Sequence, residues 1–191
     1  MFRLFLIKYG EIGIKGKNRH VFEEALVRQI EHALKPVEGE FAVSQERGRI
    51  YVEALGDYDY EETVQALSRV FGIVAICPMW QVEEQGFEQL ASDVLSYMKE
   101  VYPDSRKSFK VSSRRANKAF PMDSQEINAE LGGRILEACP GMHVDVHHPD
   151  IMLYVEIRSK VNIYSMSIPG PGGMPVGTAG RAMLLLSGGI D

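Results

Sequence analysis

The stretch Phe41-Ala42-Val43-Ser44-Gln45-Glu46-Arg47-Gly48-Arg49-Ile50-Tyr51-Val52-Glu53-Ala54-Leu55 decides the fold of the first part of the chain. Residues 41–46 and 49–55 flank Arg47-Gly48 as paired strands flank a tight turn. Ile50, Val52 and Ala54 alternate with polar neighbours, which commits one face of the second strand to a core. Working outward, this hairpin lies between two helical stripes. Upstream, Val21, Phe22, Ala25, Leu26, Ile30, Ala33 and Leu34 recur at helical spacing from about Asn18, a candidate N-cap, to about Lys35, and Pro36 ends the run. Downstream, Asp59 and Glu62 have capping-box spacing; they open a helix with Val64, Leu67, Val70 and Phe71 on one face, stopped by Gly72. Apolar strands at 3–9 and 73–82 bracket the whole. The order βαββαβ is the ferredoxin-like split unit, running to about residue 82.

A second unit follows. Phe87, Leu90, Val94, Leu95, Met98 and Val101 predict a helix over about 87–102, and Phe109-Lys110-Val111-Ser112 a short strand that leads into a basic segment read as a loop. Asp123 with Glu126 caps a further helix whose inward face is Ile127, Leu131, Ile135 and Ala138. Strands are predicted at 142–146, 151–158 and 161–168 from their β-branched content. The order αβαβββ makes this a compact α/β module, and the chain as a whole is α/β (α+β). Residues 169–180, PGPGGMPVGTAG, hold five glycines and three prolines, a linker by composition, semi-rigid at proline and free at glycine. The division read from the sequence is a ferredoxin-like core at 1–60, its sheet and last helix running on to about 82, a second domain at 61–167, a linker at 168–181, and the start of a further domain at 182–191.

The chain has 191 residues, 45% hydrophobic and 25% charged, which indicates a core-forming protein and excludes a disordered one. No apolar run approaches the roughly 20 residues of a membrane span, and the N-terminus has no signal-peptide pattern, so no membrane association is expected. Cys77 and Cys139 lie far apart without CxxC spacing, which argues against a disulfide framework or zinc ribbon and for a reducing, cytoplasmic location. The net charge of −5 hides two basic islands. Residues 8–20 carry Lys8, Lys15, Lys17 and Arg19 against Glu11 alone; residues 105–122 carry Arg106, Lys107, Lys110, Arg114, Arg115 and Lys118 against no acid. Phosphate binding depends on such local density, not on the total.

The islands supply the candidate binding residues. Lys110, Arg114, Arg115 and Lys118 suit phosphate contact, with either arginine able to stack on an unpaired base; a solvated charged loop is the alternative. Phe120 offers a stacking surface or plugs the core, and Asn117 reads a base edge or shapes the turn. Lys15, Lys17 and Arg19, among Gly10, Gly13 and Gly16, either approach phosphate or form a solvated surface connection. Gly132-Gly133 inside a helix invites close approach of another backbone or of RNA, with helix packing the preferred reading. His143, His147 and His148 lack metal-site geometry and nearby thiolates, so no metal is expected. After the linker, the apolar strand Ala182-Met183-Leu184-Leu185-Leu186 meets Ser187-Gly188-Gly189-Ile190-Asp191, a Gly-rich turn of the kind whose backbone N–H groups hold phosphate.

That last segment resembles the SGGxDS loop of the N-type ATP pyrophosphatases, the PP-loop enzymes. With Gly172-Gly173-Met174-Pro175-Val176-Gly177-Thr178 ahead of it and Lys8-Tyr9-Gly10-Glu11-Ile12-Gly13-Ile14-Lys15-Gly16-Lys17-Asn18-Arg19 at the start, the chain is similar to the tRNA 4-thiouridine synthetases, sulfurtransferases also tied to thiamine thiazole formation. Residues 109–121, FKVSSRRANKAFP, and Asp145-Val146-His147-His148-Pro149-Asp150 followed by Val155-Glu156-Ile157-Arg158 resemble the signature of their THUMP RNA-binding domain. The resemblance covers the whole chain in order. It implies a ferredoxin-like domain, then a THUMP domain holding the tRNA acceptor end with its 3′ CCA, then a PP-loop domain that adenylates uridine with ATP and Mg2+ before a persulfide sulfur from a cysteine desulfurase is transferred. Leu184 and Leu185 would lie against the adenine, and Ser187, Gly188, Gly189 and Asp191 would hold phosphates or metal. A homodimer is implied by the resemblance alone. The family's catalytic cysteines fall beyond Asp191, so no catalytic residue is expected in this chain, which would be catalytically incomplete by itself. Two other readings stay open: a stand-alone RNA-binding module without catalysis, and a different PP-loop enzyme acting on a small molecule.

Overall fold

The computed structural model describes residues 2–10, 18–46, 48–116, 118–178, 180 and 183. The chain divides into two compact units, one of residues 7–76 with 169 onward, the other of residues 1–6 with 77–168.

The first unit contains the end of β1 (Leu4–Tyr9), then α1 (Arg19–Leu34), β2 (Phe41–Glu46), β3 (Arg49–Ala54), α2 (Tyr60–Leu67) and the first residues of β4 (Ile73–Glu83). Its strand order is β2-β3-β1-β4. The hairpin is antiparallel, from Phe41 opposite Ala54 to Glu46 opposite Arg49, and Gly48 at φ +77° makes its turn. Ile50, Val52 and Ala54 are buried as their alternation requires, as are Leu26, Ile30 and Leu34 of α1 and Leu67. Three details differ from expectation. Asn18 precedes α1, but its side chain makes no capping bond. Val21 is 48% exposed while Glu23 is 5% exposed, so the buried stripe is rotated by part of a turn and carries a carboxylate. Phe71 is 52% exposed because α2 ends at Leu67 and the turn before Gly72 (φ +103°) directs it outward.

Within the glycine- and proline-rich segment, Gly170, Gly172 and Val176 are hydrogen-bonded to β4, Gly72 and α1. β9 (Ile168–Pro169) pairs with β4, and Gly170 N–H donates to Val74 O at 3.0 Å. Gly172 N–H donates to Ile73 O and its carbonyl accepts from Gly72 N–H, both at 2.7 Å; Gln29 Nε2 donates to Val176 O at 2.8 Å. A Cβ on Gly170 would sit 2.3 Å from Ile73 O, so glycine here permits a close backbone approach. Gly170→Ala is expected to cost about 1–3 kcal/mol by steric overlap. Gly132→Ala, in mid-helix where a Cβ meets nothing within 4 Å, is expected to stabilise by about 1 kcal/mol. Paired thermal melts check both signs.

The second unit comprises the end of β4, α3 (Phe87–Val101), β5 (Ser108–Arg115), α4 (Ser124–Ala138), β6 (His143–Val144), β7 (Ile151–Ile157) and β8 (Lys160–Tyr164), in strand order β4-β8-β7-β5-β6. β5 runs parallel to β7, Phe109 opposite Ile151 through Arg115 opposite Ile157, and α4 supplies the crossover that a parallel pair needs. α4 begins with a complete capping box: Asp123 Oδ1 accepts from Gln125 and Glu126 N–H, and Glu126 accepts from Asp123 N–H at 2.8 Å. Its apolar face, Ile127, Leu131 and Ile135, is fully buried with Leu90, Val94 and Met98 of α3 and with Phe109, Leu153, Val155 and Ile157 of the strands. Trp80 meets Tyr97 edge-on at 5.5 Å in the same core. Among the described residues no helix is long and apolar enough to cross a membrane.

Candidate nucleic-acid interface

β5 is longer than its apolar start predicts. Arg114 and Arg115, read as loop residues, complete the strand because the parallel ladder to β7 continues through them. Strand alternation then separates their roles. Arg114 shares a face with Lys110 and is exposed; Arg115 lies on the opposite face and its Nη1 donates to Phe120 O at 2.9 Å. Lys110 Nζ donates to Val146 O at 3.0 Å, a neutral carbonyl that leaves its charge uncompensated. Lys118 is exposed beyond the strand, and neither its side chain nor that of Arg114 makes a hydrogen bond or ion pair among the described residues. Three cations thus remain electrostatically available on β5 and the loop after it, while Arg115 shapes that loop.

Phe120 corrects one expectation: it is 3% exposed and belongs to the core, so its ring cannot stack on a base. Asn117 lies outside the described residues, as do Lys15, Lys17, Leu184, Leu185, Ser187, Gly188, Gly189 and Asp191. The helix-packing reading of Gly132 and Gly133 is also corrected, since no atom within 4 Å would meet a Cβ at either.

The loop before β7 is organised by two aspartates. Asp145 Oδ1 accepts from His147 and His148 N–H at 2.8 and 3.0 Å. Asp150 Oδ2 accepts from both the N–H and the hydroxyl of Ser108 at 2.9 Å, and Ser108 Oγ accepts from Asp150 N–H at 3.0 Å. Backbone N–H donors hold both carboxyls, and that of Asp123, below the usual carboxylate range. Because these pKa values are depressed on folding, the stability they add is present above the unfolded carboxylate pKa and lost as pH falls through the folded values. Asp150→Asn is expected to lower Tm at neutral pH and to shrink that difference under acid, as melts at a series of pH values check. Among the described residues no group of three or more His, Cys, Asp or Glu side chains that could hold a metal ion occurs.

Arg19, from the other basic island, is committed within its own unit. Its Nε donates to Glu23 Oε1 at 2.7 Å and its Nη2 to the Tyr9 hydroxyl at 2.7 Å and Gly48 O at 3.3 Å. Gln45 Nε2 donates to Glu23 Oε2 at 2.6 Å, and the Tyr9 hydroxyl lies against both the Glu23 carboxylate and Gly48 O. Burial opposes the Glu23 charge, but hydrogen bonds from Tyr9 and Arg19 outweigh it and hold its pKa low; burial, then Glu23, raises that of Tyr9. A Cβ on Gly48 would lie 2.1 Å from Arg19 Nη2, so the turn glycine is part of the same arrangement. Sequence reasoning missed Tyr9 and Glu23; a glutamate within an apolar helical stripe was the available signal.

Comparison with known proteins agrees with this architecture. The ThiI ferredoxin-like domain family matches residues 4–77 and the THUMP domain family residues 84–165. A probable tRNA sulfurtransferase of Lachnospira eligens is 62% identical over all of this chain and 49% of its own length. The chain joins a ThiI ferredoxin-like domain to a THUMP domain. A second tRNA sulfurtransferase, from Agathobacter rectalis, is 58% identical over all of this chain and 48% of its own. The chain spans about half the length of these curated relatives. Among solved structures, a 4-thiouridine synthetase in complex with RNA and ATP is 37% identical with TM-score 0.80, covering 100% of this chain and 48% of that one. A Pyrococcus horikoshii protein is 36% identical with TM-score 0.77, covering 93% and 58%. The THUMP match contains β5, α4 and the Asp145–Asp150 loop, so Lys110, Arg114 and Lys118 lie within the THUMP domain.

Proposed function

We propose that this chain is the tRNA-recognition part of an ATP-dependent tRNA 4-thiouridine synthetase, and that it holds the acceptor end of tRNA with its single-stranded 3′ CCA. The observation that carries this reading is the set of Lys110, Arg114 and Lys118 on β5 and its following loop, none of which forms an ion pair among the described residues, within a THUMP domain. Phosphate contacts of this kind fix register and orientation, so that a distant uridine reaches a catalytic domain. Segment 168–181 would join this part to a PP-loop domain beginning at 182, where Ser187, Gly188, Gly189 and Asp191 have the chemistry to hold ATP phosphates and Mg2+. In the whole enzyme, persulfide sulfur from a cysteine desulfurase would reach the tRNA, and thiamine thiazole synthesis would share that sulfur. A cytoplasmic location and a homodimer complete the proposal.

The test is a tRNA titration of this chain across a salt series. Tight binding with a steep log–log salt slope, weakened by Arg114→Ala, supports the reading. Absence of tRNA binding at low salt overturns it. Equal affinity for any RNA of similar length would favour a general RNA-binding module instead.

A further inference from the structure

We infer that Phe71 and Val176 form a docking face on the first unit for the catalytic half of the enzyme, an inference that rests on the proposal that such a half follows residue 181. Phe71 is 52% and Val176 68% exposed. Each stands one residue from a close contact. Pro175 is buried with its ring against Gly72, where a Cβ would lie 3.2 Å from Pro175 Cγ and 3.3 Å from Leu26 Cδ1. Gly72 N–H donates to Gly172 O at 2.7 Å beside it. Two large apolar side chains thus flank one tightly packed junction, and both lie outside the core.

The two side chains are presented by turns of the same design. In residues 70–73, Ile73 N–H donates to Val70 O at 3.3 Å, Phe71 holds the second position and Gly72 the third, at φ +103°. In residues 175–178, Thr178 N–H and Oγ1 donate to Pro175 O at 3.3 and 2.6 Å, Val176 holds the second position and Gly177 the third, at φ +83°. A positive φ at the third position is the type II pattern, which glycine permits. Gln29 Nε2 donates to Val176 O at 2.8 Å and pins the second turn to α1. The outer corner of such a turn suits proline or a polar residue. Here both corners carry a large apolar side chain on a hydrogen-bonded backbone, which places fixed apolar surface in water.

Magnitudes select the occupant. Phe71 and Val176 together leave on the order of 200 Å2 of apolar surface exposed. Separate molecules need roughly 1,000 Å2 or more of buried surface for a stable interface, so this face is too small to hold a second copy by itself. A domain on the same polypeptide needs far less. Residues 179–181 alone separate the second turn from Ala182, where the next apolar run begins. A tether this short gives a local concentration on the order of millimolar, at which a small apolar contact suffices. The relatives are about twice the length of this chain, so a half of comparable size is available to sit there. Apolar side chains of that half, seated on two rigid corners, would restrict it to one pose on the first unit.

Amide hydrogen exchange tests this by comparing the 191-residue chain with the full-length polypeptide that includes the catalytic half. The amides of Phe71, Val176 and Gly177 are expected to exchange at least about tenfold more slowly in the full-length protein. Phe71→Ser and Val176→Ser, each at an exposed corner, are expected to leave the Tm of the 191-residue chain nearly unchanged and to abolish the slowing. Equal exchange in the two unsubstituted proteins overturns the inference, as does slowing that survives both substitutions. Slowing in the 191-residue chain that grows with its concentration would assign the face to a second copy, and slowing there on addition of tRNA would assign it to RNA; either overturns the inference. ATP binding and tRNA affinity of the full-length protein are measured in parallel. Slowed exchange without either binding supports the docking face and removes the proposed function, whereas equal exchange with both intact removes the face alone.

Discussion

Replacing Lys110, Arg114 and Lys118 together by alanine is expected to weaken tRNA binding about a hundredfold at low salt and to reduce the log–log salt slope by about two to three. The size of the effect follows from how little these cations do for the fold. The side chains of Arg114 and Lys118 make no hydrogen bond or ion pair among the described residues, and that of Lys110 bonds only a neutral carbonyl. Their removal should leave Tm nearly unchanged, so lost affinity can be assigned to lost phosphate contacts. Arg134 provides the control: its guanidinium makes a two-bond pair with Glu88, at 3.2 and 3.0 Å, and Arg134→Ala should leave the salt slope unaltered. Arg115→Ala should behave differently again. Losing the bond to Phe120 O loosens the loop, so binding and Tm should fall together. Filter-binding or anisotropy titrations at several salt concentrations, with melts of each variant, separate the three outcomes.

The second large effect concerns stability. Glu23→Ala is expected to destabilise the chain by about 2–3 kcal/mol, because three donors lose the acceptor around which they are arranged. Tyr9, Arg19 and Gln45 come from β1, α1 and β2, and all three donate to this one carboxylate. Glu23→Gln keeps the shape and removes the charge, so its cost should be smaller and its pH dependence diagnostic. The Glu23 carboxyl is held below its usual pKa in the fold; its contribution is present above the unfolded glutamate pKa and declines as pH falls through the folded value. Glu23→Gln should therefore lose stability relative to the native chain at neutral pH, with the gap closing in acid. Equal unfolding free energies of the two proteins at neutral pH would contradict this account of the network.

Most elements were legible in the sequence because their signals are local. The alternation Ile50, Val52, Ala54 and the capping spacing Asp123–Glu126 each report a periodicity or a bond made within a few residues. What escaped depends on distant partners. Arg114 and Arg115 look like loop residues until β7, some 40 positions on, extends the ladder past them. Glu23 is buried only because Tyr9 and Gln45, 14 and 22 residues away, meet it there. Residues 169–180 read as a linker, semi-rigid at proline and free at glycine, yet β4 and α1 supply acceptors and a donor to Gly170, Gly172 and Val176. Within the candidate site, the basic cluster was visible as composition. Its division into exposed cations, a loop-shaping arginine and a buried Phe120 needed the strand's parity and the core's extent.

The central claim is that this chain holds the single-stranded 3′ end of tRNA. The most direct measurement is a titration of the chain with intact tRNA and with the same tRNA lacking its terminal CCA, at fixed salt. The account predicts distinctly tighter binding of the intact tRNA, by about tenfold or more. Equal affinity for the two would contradict it.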